Sequence, residues 1–60
     1  MNHYYVEIRE DGKLIKDVLV FSKKEAHEAR LKLMEDPILQ LYPRAHVIIR
    51  EEFKDPNTKP

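Results

Sequence analysis

The sequence predicts a two-layer α+β domain in β-β-α-β order: a three-stranded, mainly antiparallel sheet with one helix packed on one face. Three observations carry this prediction. Residues 3–9 alternate in polarity, Asp11-Gly12 separates two strand-like runs, and Ser22 stands three residues before Glu25 at the head of a helically spaced stretch.

In the first strand Tyr4, Val6 and Ile8 share one face, while His3, Tyr5, Glu7 and Arg9 share the other. Asp-Gly between such runs is a strong hairpin signal, because a tight primed turn needs positive φ, and the only glycine of the chain sits there. Residues 14–21 form the second strand. Ser22 and Glu25 make a capping box in which Glu25 is expected to reach back to the cap amide. The helix then covers residues 23–35. Ala26, Ala29, Leu33 and Met34 form its apolar stripe, with Glu28 and Lys32 paired i,i+4 on the wet side.

Asp36-Pro37 breaks this helix and suits the N-cap and first position of another, so residues 38–41 read as one helical turn closed by Tyr42-Pro43. Residues 44–53 form the third strand, with Val47 and Ile49 on one face and His46 and Ile48 on the other. Residues 55–60 contain no apolar side chain and are expected to be a flexible tail on a single domain spanning 1–54. Strand order 2-1-3 is preferred, since three thin strands rarely shelter a parallel pair.

The hairpin register is open at this level. A two-residue loop places Glu7 opposite Lys16 and puts Ile15, Asp17, Leu19 and Phe21 on the Tyr4 face. A three-residue loop with a glycine bulge puts Leu14, Lys16, Val18 and Val20 there instead. Either way one charge falls among apolar residues. Either way one helix leaves Tyr5, Ile48 and one apolar set of the second strand uncovered.

Composition narrows the function classes. Sixty residues without cysteine exclude disulfide scaffolds, zinc ribbons and thiol chemistry. A chain this short buries only about 60% of its unfolded surface, so good packing or self-association must supply the rest. Eleven basic residues balance eleven acidic ones, which disfavours general nucleic-acid affinity. No apolar run follows Met1 and nothing approaches the roughly 18 apolar residues of a membrane span, predicting a cytoplasmic protein without membrane contact. The charged fraction of 37% beside three Asn and Gln residues leans toward a thermophilic source.

No catalytic, metal or cofactor signature is legible. His3 and His46 fall on one sheet face but match no zinc spacing. Adjacent carboxylates such as Glu51 and Glu52 point to opposite faces of a strand and cannot share a proton. Ser22, Lys23 and Lys24 at the helix start form a candidate anion site, but no glycine-rich loop accompanies them. The expectation is therefore a small non-catalytic interaction or regulatory module: an inhibitor, adaptor or small subunit, of the size mobile elements encode. It would bind a protein partner or a second copy of itself through Tyr5, Ile15, Leu19, Phe21 and Ile48, with Tyr42 as an addition. The alternative is a nucleic-acid or anion binder using Ser22, Lys23, Lys24 and the sheet aromatics.

Overall fold

Two consecutive left-handed residues start the fold. Asp11 has φ 51° and Gly12 φ 81°, the pair a two-residue primed turn demands. The turn joins β1 (Asn2–Glu10) to β2 (Lys13–Val20); α1 (Lys23–Met34), a 3-10 turn (Pro37–Gln40) and β3 (His46–Phe53) follow. These elements belong to a computed structural model that describes residues 2–53; the expected tail at 55–60 lies outside them. Sheet order is β2-β1-β3 with both pairings antiparallel, so the α+β architecture and the 2-1-3 order are as the sequence predicts.

The register follows neither sequence option along its whole length. Next to the turn the ladder is that of a two-residue loop, with Glu10 opposite Lys13 and Arg9 opposite Leu14. Ile8 then faces Lys16, and Ile15 is left over as a one-residue bulge. Beyond it Glu7 faces Asp17, not Lys16, and Val18 and Val20 join Val6 and Tyr4 on the helix side. Ile15 therefore packs against the core, while Leu14 and Leu19 face the other way.

Side-chain length explains this outcome. One charge of β2 had to lie on the helix side of the sheet. Lys16 carries a long apolar stem whose ammonium reaches out to Asp36, with Nζ and Oδ2 2.6 Å apart. An aspartate at that position has neither the apolar stem to lie along the core edge nor a cation for the Asp36 carboxylate. The bulge puts Lys16 on the helix side of the sheet, where it remains exposed, and Asp17 on the open side.

Local signals set the helix ends. Ser22 has extended backbone (φ −144°, ψ 155°), and its hydroxyl accepts from the Glu25 amide at 3.1 Å. Glu25 does not reach the cap amide, as the sequence suggested; its carboxylate accepts from the Ser22 hydroxyl at 3.0 Å. α1 ends at Met34, one residue before the expected end, with Glu35 as its C-cap. Asp36 then caps the 3-10 turn, its Oδ1 accepting from the Ile38 amide at 2.9 Å, with Pro37 in first position.

The core is centred on the middle strand. Tyr4, Val6 and Ile8 of β1 meet Ala26 and Leu33 of α1, with Val18, Val20, Val47, Ile49, Ile38 and Leu39 packed around them. Two alanines on α1 allow close approach to the sheet, over β1 and β3 more than over β2. Met34, expected in the apolar stripe, is 50% exposed and lines a shallow recess with Leu39, Ala45 and Val47. Glu28 and Lys32 sit within no ion-pair distance of each other. Among the described residues no helix is long and apolar enough to cross a membrane.

Candidate functional site

The face of the sheet away from α1 has no layer over it among the described residues. Its rows follow from the two registers. Leu19, Tyr5 and Arg50 lie side by side across the three strands; Asp17, Glu7 and Ile48 form the next row, and Leu14, Arg9 and His46 the third. Leu14, Leu19 and Ile48 are 42%, 45% and 41% exposed, which is high for aliphatic side chains on strands.

Charges on this face are paired within the chain. Arg9 Nε donates to Glu7 Oε1 at 2.9 Å, and Arg50 Nη2 lies 3.6 Å from Glu7 Oε2. Arg50 Nη1 donates to Glu52 at 2.8 Å, and His3 Nε2 lies 3.4 Å from the same carboxylate. Glu7 is only 2% exposed although no helix covers it; a single layer of side chains, the two arginines included, shields it from water. The Arg9 hydrogen bond holds its carboxyl below the usual range against the opposing pull of desolvation, with the charges of Arg9 and Arg50 adding to the effect. Glu52 is lowered chiefly by its bond from Arg50, and Arg50 is raised chiefly by that same bond.

Tyr5 is held inside this lattice. The Arg50 guanidinium carbon lies 4.5 Å from its ring centroid, and His3 meets the ring edge-on at 5.5 Å and 79°. With one ring face against a cation, Tyr5 is only half available as a stacking platform.

Asp17 is the exception. It faces Glu7 across the ladder, a like-charge opposition that disfavours the pair, and it has no ion-pair partner among the described residues. It stands between Leu14 and Leu19 on the exposed side of β2. With Glu7 and Glu52 against Arg9 and Arg50, the face carries three acids and two fixed cations, a net charge of minus one.

Of the residues the sequence singled out for contact, Tyr5, Leu19 and Ile48 come together here. Phe21 follows β2 directly, in phase with Leu19, and is 63% exposed. Ile15 is withdrawn to the core side by the bulge, correcting its assignment to the same surface as Leu19. Tyr42 is half-buried on the connection to β3, where its carbonyl accepts from the Ala45 amide, and is not in the sheet face. Leu14 is the member that sequence reasoning left out. It faces outward only because the turn is two residues long and the bulge comes after it.

The other candidates separate in space. His3 lies opposite Glu52 and His46 opposite Arg9, six residues apart along the ladder, or about 20 Å, too far to share a metal. Among the described residues no three His, Asp or Glu side chains converge as metal ligands. At the helix start Ser22 Oγ is engaged twice by Glu25, whose carboxylate already occupies the region where an anion would sit. Lys23 and Lys24 are exposed beside it. Comparison with protein-family models, with curated proteins and with solved structures finds no match for this chain.

Proposed function

We propose that the chain is a small non-catalytic interaction module that binds a protein partner through its uncovered sheet face. The observation that carries this reading is Asp17: an unpaired carboxylate between exposed Leu14 and Leu19, on a face whose other acids are already neutralised. Desolvating paired charges costs far less than desolvating isolated ones, so a partner can cover Glu7, Arg9, Arg50 and Glu52 without leaving a new buried charge. Asp17 needs a cation from outside. The partner that fits is a protein surface with an apolar centre for Leu19, Tyr5 and Ile48 and a lysine or arginine opposite Asp17. Zero net charge and the occupied helix start weigh against nucleic acid or a free anion as the ligand.

Leu19→Ser combined with Ile48→Thr tests the reading, since neither substitution sets a new charge opposite Glu7. Both positions are more than 40% exposed, so the variant is expected to keep the far-UV circular dichroism and urea midpoint of the parent while losing capture of a partner by immobilised protein. Equal capture by parent and variant would refute the assignment.

A further inference from the structure

Among the described residues the order β2-β1-β3 leaves β2 with one edge unpaired, and α1 stands to one side of that strand. Between them runs a groove of about 250 Å³, floored by Val18, Val20 and Leu33 and rimmed by Glu25, Glu28 and Lys32. The rim has a polarity. α1 runs back along β2 from the two-residue connection at Phe21-Ser22, so Glu25 and Glu28 lie at the Val20 end, while Lys32, with Lys16 of β2, lies toward Asp36. Glu28 and Lys32 have no ion-pair partner among the described residues.

We infer that β2 pairs antiparallel with β2 of a second copy of this chain about a two-fold axis at Val18, giving a six-stranded sheet with both helices on one side. The inference concerns a different surface from the partner-binding face and does not rest on it. An exposed edge with an apolar flank is a template for strand addition, and the charge pattern selects the occupant. A two-fold axis between the strands lays the acidic end of one groove beside the Lys32 end of the other, so Glu28 of each copy, with Glu25 beyond it, faces Lys32 of its partner, while Lys16 stays with Asp36 of its own chain.

Registers centred on Lys16 or Asp17 would oppose like charges directly; centring on Val18 avoids both. With each helix above its own β1, the helix axes lie three strand spacings apart, about 14 Å. That exceeds the roughly 8–10 Å of directly packed helices. Long Glu and Lys side chains span such a gap, over a floor made of the valines of both copies. On the opposite face the two Asp17 carboxylates come diagonal to each other, about 7–8 Å apart, and oppose the association weakly.

The test is sedimentation equilibrium over a concentration series at low salt, with circular dichroism as the folding control. The parent is expected to dimerise. Lys32→Glu should raise the dimer Kd by at least about tenfold, because it sets acids against acids twice in the symmetric interface. The double exchange Glu28→Lys with Lys32→Glu should restore most of the loss, and Asp17→Asn should tighten the dimer. A parent that stays monomeric at millimolar concentration overturns the inference while leaving the partner-binding reading intact. A dimer unmoved by Lys32→Glu overturns it too. If that dimer is instead dissolved by Leu19→Ser with Ile48→Thr, the copies meet through the open face.

Discussion

Deleting Ile15 is the sharpest test of how this chain sets its register. In the structure Ile15 is the single extra residue between two regular stretches of ladder, Glu10 to Arg9 against Lys13 to Leu14 and Ile8 onward against Lys16 onward. Its removal leaves Ile8 opposite Lys16, Val6 opposite Val18 and Tyr4 opposite Val20. No residue changes face. The loss is the half-buried Ile15 side chain; full burial of an isoleucine contributes about 1.5–3 kcal/mol, so roughly half of that, about 1–1.5 kcal/mol, is expected to go. A domain of this length has about 3–9 kcal/mol in total, so the deletion variant should remain folded. Inserting one alanine between Asp17 and Val18 is the contrasting control, because with the existing bulge in place it turns Val18 and Val20 to the open face and should abolish cooperative folding. Urea titration by far-UV circular dichroism reads both. If the Ile15 deletion unfolds the protein, the faces of β2 are not arranged as described and the bulge argument fails.

Ile8→Ala empties a fully buried site on the middle strand and should cost about 2–5 kcal/mol, a large share of the available stability, read as a urea midpoint moved to much lower denaturant. Gly12→Ala meets no atom within 4 Å of the added Cβ, yet φ is +81°; the left-handed backbone alone should cost about 1 kcal/mol, and a neutral substitution would contradict the turn assignment. Glu7, Asp36 and Glu52 have carboxyls lowered from ordinary values of 4.5, 3.8 and 4.5 by bonds from Arg9, Lys16 and Arg50 respectively. The unfolded chain therefore binds protons that the folded one refuses, and this stability is fully present above about pH 4.5 and lost as pH falls through the lowered values. A urea midpoint that is flat from pH 6 down to pH 2 would contradict those pairings.

Much of the architecture was legible because it rests on local chemistry. Asp11-Gly12, Ser22 with Glu25, and Asp36-Pro37 each satisfy a turn or cap with residues a few positions apart, and each appears where the sequence predicts it. The alternation of Tyr4, Val6 and Ile8 predicted the buried face of the central strand. What was not legible depends on competition between distant groups. Two consistent registers existed for β2, and the bulge combined them because Lys16 finds Asp36, twenty residues away, while Asp17 has no such partner on the helix side. The misplacement of Ile15 and the omission of Leu14 both follow from that single residue.

For the candidate site, sequence alone determined that a three-stranded sheet with one helix must leave a face uncovered, and that Tyr5 and Ile48 would lie on it. Helical and strand periods are properties of the local backbone, so these facts needed no tertiary information. Only the folded structure decided that Leu19 joins them and Ile15 does not, that Glu7 is hidden beneath two arginines, and that Asp17 is left without a partner. Those outcomes depend on which side chains reach one another across strands, and reach is a property of the assembled sheet.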